Sequence, residues 1–112
     1  MSEISFPKAT REHAERRHAL TPEADEAFKA FSSAVFAEGA VDTRTKQLIA
    51  VAVAHVTQCP WCIEGHVKAA RREGASAEQI MEAIWVVAEM RAGAAFAHSI
   101  KTLALLDDAG ER

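Results

Sequence analysis

Only two cysteines are present, three residues apart, in Cys59-Pro60-Trp61-Cys62. A structural disulfide framework uses more cysteines at wider spacing in an oxidising compartment, so that class is excluded. No apolar run approaches the roughly 18 residues of a membrane span. The opening stretch MSEISFPKATREHAERR has no apolar h-region. That argues against a secretory signal and leaves the cytoplasm as the expected address. A basic excess is also missing. Lys plus Arg is 13 against 16 for Asp plus Glu, a net charge of −3, which counts against nucleic acid as a partner. No GxGxxG fingerprint for nicotinamide or flavin occurs, and no cofactor is expected. Electrons for any redox reaction must then arrive through another protein or a small thiol. No segment shows bounded apolar–polar alternation, so strands are not expected.

What is present is a globular composition, 49% apolar and 26% charged, in a 112-residue chain of single-domain size. Residues 1–20 read as a charged arm of irregular period, locally basic at Lys8, Arg11, Arg16 and Arg17. Residues 21–112 read as one helical domain. Thr21-Pro22-Glu23 is a helix start, with Phe28, Phe31, Val35 and Phe36 following at helical spacing and Gly39 as the stop. Asp42 or Thr43 can cap a second helix whose body, residues 46–56, is apolar nearly all round. Pro60 suits the first position of a third helix, with Cys59 as its N-cap and Gly74 closing it after about Arg72. Ser76 and Gln79 form a capping box for a last helix over residues 77–107. The expected class is all-α, with about five or six helices. Helices apolar on most faces, at residues 48–56 and 84–88, are hard to cover within one small chain, which predicts a homo-oligomer.

The cysteine pair carries the chemistry. With Cys59 at the N-cap, Cys62 and His66 follow at offsets of 3 and 7 on one helix face. A helix N-terminus stabilises a thiolate, and a neighbouring imidazole can take and return its proton. Cys59, Cys62 and His66 thus supply nucleophile, resolving thiol and proton carrier. On this argument alone Cys59 is the more reactive thiol. Gln47, Val51, His55 and Cys59 recur every four residues, so Gln47 and His55 can face the dithiol. Glu89, a charge amid Val86, Val87 and Ala88, is a further relay candidate; its bland alternative is a salt bridge to Arg91 or Arg72. Two other uses of the motif stay open. Cys59, Cys62, His66 and His55 offer four zinc ligands, and the pair can serve as a non-catalytic redox sensor.

The stretch from Lys46 through Cys59-Pro60-Trp61-Cys62 to His66 resembles the carboxymuconolactone decarboxylase and AhpD-like family, in its redox-active branch. The likeness continues through Gly74-Ala75-Ser76, Ile80-Met81-Glu82-Ala83 and residues 90–98, covering about residues 25–105. It implies an AhpD-like helical bundle assembled as trimers or hexamers. It also implies peroxidase or disulfide-reductase activity toward a hydroperoxide. The reductant would be an external thiol or redox protein, with a peroxiredoxin as one partner class. It further implies that Cys62 is oxidised to sulfenic acid, that Cys59 is proton donor and disulfide partner, and that His66 works in a proton relay. Two departures stand out: Gln47 occupies the place of the family's glutamate, and Trp61 that of a histidine between the cysteines. A relay without its carboxylate predicts modest activity. The lactone decarboxylase branch does not need the cysteine pair, so the pair argues against that alternative.

Overall fold

The computed structural model describes residues 6–110. Five helices follow one another: α1 (Arg11–Leu20), α2 (Pro22–Phe36), α3 (Thr43–Thr57), α4 (Pro60–Arg72) and α5 (Ala77–Asp108). Among the described residues there is no strand. The ends of the two sequence-defined regions, residues 1–5 and 111–112, lie outside the described part.

The helix starts follow from side-chain capping. Asp42 Oδ1 accepts the Thr45 N–H at 2.7 Å and starts α3. Cys59 is the N-cap of α4, with Pro60 as the first helical residue. Ser76 and Gln79 satisfy each other's backbone N–H groups at 3.0 and 2.9 Å, a reciprocal box that starts α5. Gly74, at φ +93°, ends α4 in a conformation that side chains avoid, and the Ala75 N–H returns to the Ala70 carbonyl. Helix α2 stops at Phe36, ahead of Gly39.

Two sequence expectations need correction. Residues 11–20 are helical, not irregular. This helix buries nothing and has no apolar stripe to betray it; Thr10 caps it by accepting the His13 N–H at 3.1 Å. Helix α3, expected to be buried on every side, is buried along one face only, at Gln47, Val51 and Ala54. Its other face leaves Ile49, Val53 and Val56 about half exposed.

The core sits where α3, α4 and the start of α5 meet. Val51, Ala70, Ala75 and Ile80 are buried there, with Leu48, Val67 and Ile84 packed around them. Burying Val51 completely contributes about 1.5 kcal/mol. Beyond this centre the chain is open. It exposes 8802 Å², whereas a folded monomer of 12.1 kDa exposes about 6,000 Å². Its radius of gyration is 19.7 Å, against about 13 Å for a compact chain of this length. Among the described residues no helix is long and apolar enough to cross a membrane.

Candidate active site

A tight reversal places the site. Helix α3 ends at Gln58, which takes the left-handed conformation at φ 57° and sends its N–H back to the Ala54 carbonyl. The next residue is Cys59, so α4 begins at once and runs back along α3. A residue in the first half of α3 therefore meets one midway along α4: His66 Nδ1 lies 2.8 Å from Gln47 Oε1. Among the described residues Gln47 is the one polar residue in the buried set. Its carbonyl oxygen can only accept, so Nδ1 carries the hydrogen and Nε2 is left as the basic nitrogen. Phe36, from α2, stacks on the imidazole with ring centroids 5.3 Å apart and planes 24° from parallel. The ring is thus held by a hydrogen bond at one edge and an aromatic face on one side.

The two sulfurs sit at the start of α4. Cys59 and Cys62 are joined as a disulfide with Cα atoms 5.2 Å apart. The Cys62 N–H points at Cys59 Sγ, 3.2 Å away. That is the N-cap interaction with sulfur in place of oxygen, at the positive end of the helix. Trp61, between the cysteines, donates its indole N–H to the Pro7 carbonyl at 2.8 Å and rests against the Phe6 ring, centroids 5.6 Å apart. The chain just ahead of α1 is thereby strapped onto the cysteine turn.

A pocket of about 480 Å³ opens between α2, α3 and α4, within the ~300–1,000 Å³ range of small-molecule sites. Cys62 and His66 line it; Cys59 does not. Most of the remaining wall is apolar, including Phe36, Ile49 and Val53, and Lys46 adds a cation.

Of the residues singled out by sequence, Cys59, Cys62, His66 and Gln47 come together. His55 and Glu89 stand apart. His55 turns its Nδ1 to the Val51 carbonyl at 2.8 Å and is absent from the pocket wall. Glu89 is exposed on α5. Among the described residues no ion pair joins it to Arg91 or Arg72; Arg91 instead reaches the Val56 carbonyl at 3.5 Å. No group of three or more His, Cys, Asp or Glu side chains is gathered as metal ligands among the described residues, so the four-ligand zinc set is not assembled. Sequence reasoning missed Phe36 and Lys46. Phe36 showed only as one apolar member of the α2 stripe, and Lys46 only as part of the α3 body.

This paired-cysteine hairpin finds its match in known proteins. Residues 22–104 fit the carboxymuconolactone decarboxylase family. The chain belongs to that family. A Paracoccus denitrificans relative, the uncharacterized protein 4 in the cox locus, is 68% identical over 108 residues, covering 96% of each chain. A solved family member from Legionella pneumophila superposes with a TM-score of 0.69 at 27% identity, covering 87% of each chain. A family protein from Thermotoga maritima, whose name gives a possible involvement in antioxidative response, reaches 0.57 at 26% identity. That match covers 91% of this chain and 97% of the other. The family match leaves α1 outside and takes in α2 to α4 and most of α5.

Proposed function

We propose that this chain is a thiol-dependent hydroperoxidase and disulfide reductase, worked by Cys59 and Cys62 with His66 as proton carrier. The observation that carries this reading is that Cys62 and His66 share one pocket while Gln47 fixes the imidazole. The Thermotoga maritima relative's named link to an antioxidative response lends support.

In the reduced protein His66 Nε2 takes the Cys62 thiol proton, and the thiolate attacks the terminal oxygen of the hydroperoxide. The O–O bond breaks, the alkoxide leaves as an alcohol with a proton from His66, and Cys62 becomes a sulfenic acid. The Cys59 thiol then condenses with it, water leaves, and the disulfide forms. An external dithiol, free or on a redox protein, returns the two electrons; in the disulfide-reductase mode the reduced pair instead passes them to a partner's disulfide, such as that of a peroxiredoxin. The N-cap position of Cys59 and the pocket beside Cys62 support complementary roles for the two sulfurs. Cys62 faces the substrate. Cys59, which accepts the Cys62 N–H at the positive end of α4, is in this reading the sulfur that leaves when the reductant attacks Cys62.

The working form in this reading is a homo-oligomer. Support comes from the excess exposed area of the single chain and from large exposed side chains such as Phe96 and Trp85.

The test is consumption of tert-butyl hydroperoxide by pre-reduced, metal-free protein, followed by stopped flow with mass spectrometry of the product. We expect loss of two hydrogens' mass mapping to Cys59 and Cys62, and no turnover by Cys59→Ser or Cys62→Ser. Full activity in both variants, or thiols that stay reduced under excess peroxide, would overturn the peroxidase assignment.

A further inference from the structure

The pocket beside Cys62 and His66 is asymmetric in a way that narrows its substrate. One face of α3 forms much of the wall, through Lys46, Ile49, Ala50, Val53, Ala54 and Thr57. From Lys46 to Thr57 this face runs about 16 Å along the helix axis. Among the described residues Lys46 is the only Lys or Arg on the wall, and no Asp or Glu lies there. It stands at the start of α3, and its Nζ spends one hydrogen on the Ala37 carbonyl at 2.6 Å. An ammonium has three hydrogens, so two remain to donate. The other ionisable groups among the described lining residues are Cys62 and His66, so the Cys62 thiolate formed in the reaction is the one anionic group among them. An elongated apolar groove with one cation at one end suits an amphipathic molecule with an anionic head.

We infer that the pocket selects free long-chain acids bearing a hydroperoxide, their carboxylate on Lys46 and their chain along α3. This rests on the peroxidase reading and names its substrate class. The reaction is the one already balanced: the chain hydroperoxide becomes the chain alcohol, Cys62 becomes a sulfenic acid, and Cys59 closes the disulfide with release of water. Two electrons come from the external dithiol. The carboxylate is untouched and serves only for binding. Lys46 is therefore a specificity residue and not a catalytic one.

The test compares the hydroperoxide of linoleic acid with that of methyl linoleate, both below their aggregation limit, with tert-butyl hydroperoxide as the reference oxidant. Acid and ester differ only at the head, so their kcat/KM ratio isolates the Lys46 contact. A charge-assisted hydrogen bond in a half-buried site predicts a ratio of about ten in favour of the acid, expressed in KM. Lys46→Met should bring the ratio to about one. Lys46→Arg should keep it above one, which a purely loop-anchoring role for Lys46 would not require. Equal rates for acid and ester in the unsubstituted protein overturn the proposal, whether because a second copy of the chain covers the groove or because the groove takes neutral chains. Preference for a phospholipid hydroperoxide in vesicles over the free acid overturns it as well. Failure with tert-butyl hydroperoxide as well as with both lipids points instead to the underlying peroxidase reading.

Discussion

The two halves of α5 each carry ten apolar residues and meet different fates. Over residues 77–91 the helix sets Ile80 and Val87 into the core, packs Ile84 against it, and sends Arg91 to the end of α3. Over residues 92–108 it continues with Phe96, Ile100 and Leu103, again at helical spacing, yet these are 82%, 71% and 58% exposed. The stripe of Ile80, Ile84 and Val87 is covered within the chain, whereas that of Phe96, Ile100 and Leu103 in the same helix is left open. Helical spacing therefore tells which residues share a face, not what covers that face. The closed half supports the hairpin that holds Gln47 against His66. The open half has the composition of an interface core and the exposure of a surface, a combination that monomers rarely keep.

The largest effect should come from charging the open half. In a homo-oligomer that buries this stripe, Phe96→Glu with Ile100→Glu would place two carboxylates in a dry contact. An unpaired buried charge costs about 3–5 kcal/mol, which weakens association by at least about a hundredfold. We expect light scattering to show a shift from oligomer to single-chain mass. A monomeric unsubstituted protein, or a double variant that keeps its full mass, would remove the contrast between the halves.

In the hairpin that the closed half supports, Gln47 decides how firmly His66 is held. Gln47→Leu deletes the acceptor of the Nδ1–H and leaves that donor unpaired in a half-buried place. Peroxide turnover near neutral pH should fall about tenfold, the equivalent of one hydrogen bond. Gln47→Glu puts a carboxylate beside the ring, which favours the protonated imidazole. The His66-dependent limb of the pH–rate profile should move to higher pH. An unaltered rate in the Leu variant would mean that the hydrogen bond plays no part in turnover.

Why Gln47 was found from sequence and Phe36 was not is instructive. The stripe Gln47, Val51, His55 and Cys59 is local, and local spacing is legible. So were the caps at Asp42, Cys59 and Ser76, because each is a side-chain-to-backbone bond spanning three residues. The same stripe overreached at His55, because a histidine in the last turn of a helix can satisfy itself on the carbonyl one turn back, as it does at Val51. Phe36 on His66, and Lys46 on the pocket wall, depend on where α2 lies relative to the hairpin, and no spacing encodes that. Helix α1 escaped for the opposite reason. It is held by a cap and by charges, with no buried residue to give it a period.

That polar attachment predicts the smallest effect. Asp25 of α2 gathers His18 Nδ1 at 2.9 Å, Lys29 Nζ at 3.0 Å and Arg17 Nε at 3.7 Å, and two of these partners belong to α1. The hydrogen bond from Lys29, then that from His18, holds the carboxyl below its ordinary 3.8. A carboxyl lowered on folding stabilises the folded form above its unfolded value and loses that contribution as pH falls through its folded value. The tie between α1 and α2 should thus be intact near neutrality and fade below about pH 4. Amide hydrogen exchange over residues 11–20 reads this locally. Protection, corrected for intrinsic exchange, should drop in acid by a few-fold, the modest size expected of exposed ion pairs, while the core amides of α3 and α4 hold. Asp25→Asn cannot titrate and keeps only neutral hydrogen bonds. Its α1 should be less protected already at neutral pH and should lack the acid step. An acid step that persists in Asp25→Asn would place the attachment of α1 elsewhere than on this carboxylate.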